Sequence, residues 1–238
     1  MGQHDERTGE TSSHDTAYRP KLTPFGDWVA GRVRLLAKGG RTPSGVNDPG
    51  YLRNGASATA AVAKLRHGIG HEIGDDSDLL AWVLPDADDA GIAGRDADDS
   101  GEPTPRERAA YASITLFAMH QQSIHDVSMH TDGYVTLGRA VGRMAYGNVN
   151  ENGIRRLFDR LQTANGWKET VRHTRGMIQL LKRERIAINY GLLAQDLLGL
   201  RSGRERANRV RLRWCRDFQR GYGEAKSPSA SAPSNPSA

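Results

Sequence analysis

The sequence predicts an all-α protein, two packed helical bundles of about eight to nine helices in total. Three observations carry that expectation. Apolar residues recur at helical spacing through most of the chain. β-branched residues are sparse, and no segment alternates apolar and polar residues as a half-buried strand does. The punctuation between periodic stretches is that of helix ends, with Gly39-Gly40 and Gly68 as stops and Thr104-Pro105 as a start. The 238 residues suffice for one large domain or two small ones with a sizeable core.

The elements follow in order. Phe25 to Ala37 carries Trp28, Val29, Val33, Leu35 and Leu36 at helical spacing. Asn54 to Arg66 is Ala-rich, with Val62 and Leu65 as its larger apolar residues. Leu79 to Leu84 is a short apolar piece around Trp82. Pro105 to Gln122 has the fullest set of start signals: Thr104 to cap, Pro105 in the first turn and Glu107 at the third position. Its polar end, His120 to Ser123, reads as a helix terminus satisfied by side chains and water. Tyr134 to Tyr146 turns Leu137, Val141 and Met144 inward, and Asn150 to Thr163 does the same with Ile154, Leu157, Phe158 and Leu161. Trp167 to Arg183, Asn189 to Leu200 and an arginine-rich helix within Arg201 to Arg220 complete the set. Trp28, Trp82, Trp167 and Trp214 each sit among apolar neighbours and read as core anchors.

Composition divides the chain further. Residues 1–19 form a polar arm expected to be disordered. Residues 20–222 form the helical part, divisible into an N-terminal bundle 20–130 and a C-terminal bundle 131–222. Residues 85–103 are Asp- and Gly-rich and read as an exposed acidic loop. Residues 223–238 are a Ser/Pro tail, also expected to be disordered. The single cysteine, Cys215, excludes an internal disulfide and is expected on or beside the apolar seam near Trp214. The polar N-terminus and the lack of any run of eighteen apolar residues give the expectation of a soluble cytoplasmic protein with no membrane partner.

The formal net charge is only +5, but it is strongly segregated. Glu72 to Glu102 holds eleven acids and one base. Glu151 to Tyr222 holds seventeen Lys plus Arg against seven acids. So basic a half is the footprint expected for a polyanion. Two stripes sharpen it. Arg206, Arg209, Arg213, Arg216 and Arg220 follow three-four spacing and fall within one arc of a helix, while Val210, Trp214 and Phe218 repeat on another face. Lys168, Arg172, Arg175, Gln179 and Lys182 repeat the pattern within Trp167 to Arg183. Two such stripes could build a groove that tracks a phosphate backbone. An ordinary solvated face is the competing reading of each.

Catalytic chemistry finds little purchase. His67 and His71 lie four apart before Glu72, but this is not the HExxH arrangement, and Gly68 and Gly70 interrupt the helix that would align them. His120, His125 and His130 recur every five residues, which spreads them around a helix. There is no phosphate-binding glycine loop, no nucleophile elbow and no dinucleotide fingerprint. The expectation is no catalytic residue, no metal and no cofactor.

Five ordered segments carry a family resemblance: ITLFAMHQQS from Ile114, RRLFDRLQTAN from Arg155, HTRGMIQLLK from His173, INYGLLAQDL from Ile188 and RVRLRWCRDF from Arg209. With AVAKLRHG from Ala61 and Ala81-Trp82, they resemble the CasB family, the small subunit of the type I-E CRISPR surveillance complex Cascade. The resemblance spans roughly residues 25 to 221. It implies an all-α, non-catalytic subunit of antiviral defence, present as two copies along the belly of the complex. Its partners would be the other Cascade subunits, a second copy of itself, the crRNA and the target and non-target DNA. Matching positions imply nucleic-acid contacts from Arg66, Arg139, Arg143, Arg155, Arg156, Arg160, Arg175, Lys182, Arg209, Arg211, Arg213 and Arg216, and Arg172 joins these candidates from the cationic stripe of Trp167 to Arg183. At His67 the family more usually has Arg. The acidic loop, the N-terminal arm and the tail depart from the family pattern. A pure protein–protein scaffold, its basic faces meeting acidic partners, is the alternative.

Overall fold

The computed structural model describes residues 20–74, 77–85, 92 and 101–227. The arm 1–19, nearly all of the acidic loop and the chain beyond Ser227 lie outside the described residues. Within them the protein is all-α. The helices are α1 (Pro24–Lys38), α2 (Ala56–His67), α3 (Ser77–Val83), α4 (Pro105–Gln121), α5 (Leu137–Ala145), α6 (Glu151–Thr163), α7 (Trp167–Arg183), α8 (Tyr190–Arg201) and α9 (Arg204–Lys226). A 3-10 turn covers Tyr51–Arg53. One antiparallel hairpin, β1 (Gly40–Arg41) and β2 (Asn47–Asp48), escaped the sequence pattern because two residues per strand leave no alternation to read.

Helix α4 is the axis of the molecule. From Ala109 to Gln121 every residue is buried, so it has no solvated face. The capping box forms as expected: Thr104 accepts from the Glu107 N–H, and the Glu107 carboxylate accepts from the Thr104 N–H. Helices α1, α2, α7 and α8 pack around it, with α3 against its side. The buried apolar residues of all these helices and of α5, α6 and α9 form one contiguous cluster.

Glycines set two helix crossings. A Cβ on Gly138 or Gly142 of α5 would meet the carbonyl oxygens of Trp214 and Phe218 on α9 at 2.4 and 2.1 Å, and one on Gly221 of α9 would meet Arg139 O of α5 at 2.0 Å. The two backbones therefore touch. At the second crossing, a Cβ on Gly191 of α8 would lie 2.5 Å from Gly26 O of α1. The start of α1 is fixed to the same helix, because Gln195 Oε1 accepts from both the N–H and the hydroxyl of Thr23, the α1 cap. The hairpin serves α2 in a similar way. Gly55 offers no side chain to cap α2, and Asp48 accepts instead from the N–H groups of Ser57 and Ala58.

Three local expectations are corrected. His120 and Gln121 are fully buried rather than a wet helix end. Gln121 donates to Ile124 O and Val127 O and accepts from the Met129 N–H, clamping the loop that follows α4. The fifth helix starts at Leu137, since Thr136 is its cap, accepting from the Arg139 N–H. The last helix runs through Gly223 to Lys226, beyond the point where composition places the tail. Cys215 is exposed, its Sγ 2.9 Å from Gln162 Oε1, while Trp214 beside it is fully buried.

Candidate nucleic-acid interface

The cationic residues fall into two physical classes. The first is spent on the fold. Arg213 is bound to Asp196 of α8, a carboxylate that is 2 % exposed and also accepts from Trp214 Nε1. Burial pushes the Asp196 carboxyl up to about 6 although Arg213 pulls it down. Arg220 lies 3.3 Å from Asp217, which is buried and accepts from Tyr134 and Thr136. Arg209 pairs with Glu205 one turn earlier at 2.6 Å. Arg139 and Arg143 converge on Glu224 of α9 and hold its carboxyl below the usual range against the opposing effect of burial. Arg155 pairs with Glu151 and lies over the Phe218 and Tyr222 rings. Arg211 donates to Ala164 O. Of the five arginines in the α9 stripe, only Arg206 and Arg216 have no pairing acid among the described residues.

The second class is available. Between the C-terminal ends of α2 and α4 and the outer face of α7 lies a cleft of about 370 Å³, lined by Arg66, His67, Met119, Gln122, Arg175, Gln179 and Lys182. No acid lines it. Arg175 is exposed, and neither it nor Arg66 has a pairing acid among the described residues. The Arg66 Nε is buried with no hydrogen-bond partner there. Lys182 donates to Met119 O at the end of α4. Its pKa is lowered, first by burial and then by the Arg66 charge beside it. An anion would relieve that repulsion.

The α7 stripe continues away from this cleft. Arg175 also lines a neighbouring apolar cavity with Arg172, Lys168, Trp167 and Arg108, where Glu72 lies 3.5 Å from Arg108 and 3.6 Å from Lys168. Arg172 faces Arg160 of α6 across a further cleft that also holds Glu169, and Arg172 lies 3.8 Å from that acid. Arg156 is exposed on α6 with no pairing acid among the described residues. The structure thus brings Arg66, Arg175 and Lys182 together, with Arg172 and Arg160 further along. Arg139, Arg143, Arg209 and Arg213 lie apart from them in carboxylate pairs.

The histidines are dispersed. His120 is fully buried, its Nδ1 2.9 Å from the Tyr190 hydroxyl, and burial first and Lys182 second lower it to about 3. His130 accepts from the Tyr190 N–H and reaches Asp132, and burial lowers it to about 4. His125 is exposed and stacked on Tyr51. Among the described residues no group of three or more His, Cys, Asp or Glu could hold a metal ion, and no helix is long and apolar enough to cross a membrane.

Comparison with known proteins gives this arrangement a context. A family model for the CRISPR-associated protein Cse2 matches residues 61–218. Among solved structures, the chain is similar to CasB from Thermobifida fusca at 30% identity and a TM-score of 0.64, covering 83% of this chain and 99% of that one. It is also similar to M. ruber CasB at 25% identity and a TM-score of 0.52, covering 75% of this chain and 94% of that one. No curated protein matches.

Proposed function

This chain belongs to the CRISPR-associated Cse2 family, and from that premise we propose that it is the non-catalytic small subunit of a type I-E Cascade complex, binding nucleic-acid backbone in the cytoplasm. The observation that carries the reading is the cleft of Arg66, Arg175 and Lys182 between α2, α4 and α7, which no acid lines among the described residues. Three cations held together without a carboxylate lose stability to mutual repulsion, and phosphates of a bound strand remove that loss. In an RNA-guided complex the sequence is read by base pairing, so the subunit needs no base code. It adds backbone contacts that hold the displaced non-target strand and so stabilise the R-loop. Its partners in this reading are the other Cascade subunits, a second copy of itself, the crRNA and both DNA strands.

The test is a salt titration of single-stranded DNA binding by the full chain. Each phosphate contact on a single strand contributes about 0.7 to the slope of log K against log salt. The variant Arg66→Ala/Arg175→Ala/Lys182→Ala is expected to lower the slope by about 2, with its thermal midpoint as the check on folding. An unchanged slope in that folded variant sinks the assignment of the cleft. Failure of the wild type to bind DNA at low salt, with salt-sensitive binding to partner subunits, makes the protein scaffold the better account.

A further inference from the structure

Resting on the reading that the cleft carries an unpaired strand, we propose that His125, stacked on Tyr51, is a shelf for one base of that strand. The cationic cleft does not end at Arg66. Arg66 and Gln122 also line an adjoining cleft with Tyr51, Ser123 and His125, again with no acid among the described residues. Phosphates that follow Lys182 and Arg66 therefore arrive beside an aromatic platform.

The platform is built rather than incidental. The Tyr51 and His125 rings lie 4.5 Å apart and 17° from parallel. Tyr51 is 5 % exposed, and its hydroxyl accepts from the Ser123 N–H at 2.9 Å. His125 Nδ1 lies 3.2 Å from Tyr51 O, which fixes the rotation of the imidazole. Ser123, at φ 65°, turns the chain off the end of α4 so that His125 reaches back over Tyr51. His125 itself is exposed. The charge of the neighbouring Asp126 is paired with Arg185.

The loop has a second anchor besides the stack. Gln121 holds it through three hydrogen bonds to Ile124, Val127 and Met129. A solvent-facing imidazole fixed parallel to a buried ring, beside unpaired cations, has the form of a base-stacking site. Stacking of this kind accepts any base, because every base has a π-face.

Binding of the full chain to an oligothymidylate and to an abasic strand of the same length tests this. Wild type is expected to prefer the base-bearing strand. His125→Ala is expected to lose about five- to tenfold on that strand, to keep its affinity for the abasic strand, and to keep its salt slope and thermal midpoint. His125→Phe is expected to restore the preference. Equal loss on both strands, or loss on neither, overturns the shelf. Salt-dependent binding without any preference for bases overturns the shelf alone and leaves the backbone cleft standing. Absence of binding to both strands at low salt overturns both.

Discussion

Helices α7 and α9 look alike in sequence and differ in what their cations do. Both carry basic residues at three-four spacing opposite an apolar seam. On α9, Arg209, Arg213 and Arg220 neutralise Glu205, Asp196 and Asp217, two of those acids being buried. On α7, Arg175 and Lys182 meet Arg66 and, among the described residues, no acid. A basic stripe is therefore not itself a binding surface. What decides is whether carboxylates lie within reach once the chain has folded, and α9 lies against α8 and its Asp196 while the free edge of α7 does not.

The sharpest way to break this contrast is Arg213→Ala. It leaves Asp196 buried without its cation, and a loss of about 2–4 kcal/mol is expected by urea unfolding, short of the full value for a buried pair because Arg213 is partly exposed. Arg175→Ala, by contrast, is expected to stay within about 0.5 kcal/mol of wild type, as an unpaired surface residue should. Equal stabilities for the two variants would erase the distinction between the helices.

The two regions also titrate in opposite senses. His120 beside α7, and His130, are kept neutral in the fold, with pKa values lowered to about 3 and about 4 from 6.5. The unfolded chain takes up those protons below 6.5, so stability falls as the pH drops through that value. Asp196 is raised to about 6 from 3.8, so between those values the folded state takes its proton first and acidification favours the fold. At pH 5 the two histidines together cost about 4 kcal/mol and Asp196 returns about 1.5. A net loss of about 2–3 kcal/mol between pH 7 and pH 5 is expected, and His120→Gln should remove a good part of it. A flat stability profile across that range would contradict the burial of both imidazoles.

The smallest effect sharpens the contrast from the other side. Glu224→Gln releases Arg139 and Arg143 from their shared carboxylate. Because that carboxylate is about one-third exposed, stability should change by less than about 1 kcal/mol. DNA affinity should rise, with a steeper salt slope, as two cations pass from the spent class to the available one. A fall in affinity would mean that Glu224 positions those arginines for binding.

Much of the helical order is legible from periodicity and punctuation. Trp167–Arg183 coincides with its expected bounds, and the Thr104 capping box forms as read. The cationic classes were half legible. Glu205 stands four residues before Arg209 and Asp217 three before Arg220, so those pairs could be seen in the spacing. Asp196 was not visible as a partner, because its contact with Arg213 depends on how α8 packs on α9. The same limit hid Asp48 as the cap of α2 and turned the buried His120 and Gln121 into an expected wet terminus. Polar residues that end an apolar helix look alike in sequence whether water or a folded loop satisfies them.

The seating of α1 has a consequence for synthesis. Its cap Thr23 is held by Gln195, 172 positions later in the chain, and its backbone meets Gly191 of the same late helix. On a ribosome adding about 5–20 residues per second, α1 waits roughly 10–30 s for that partner to be made. Through that interval Val29, Val33 and Leu36, all buried in the finished protein, lack part of their final cover. Nascent chains stopped before α8 should therefore engage chaperones or aggregate, whereas loss of the residues beyond Lys226 should leave folding on the ribosome unchanged.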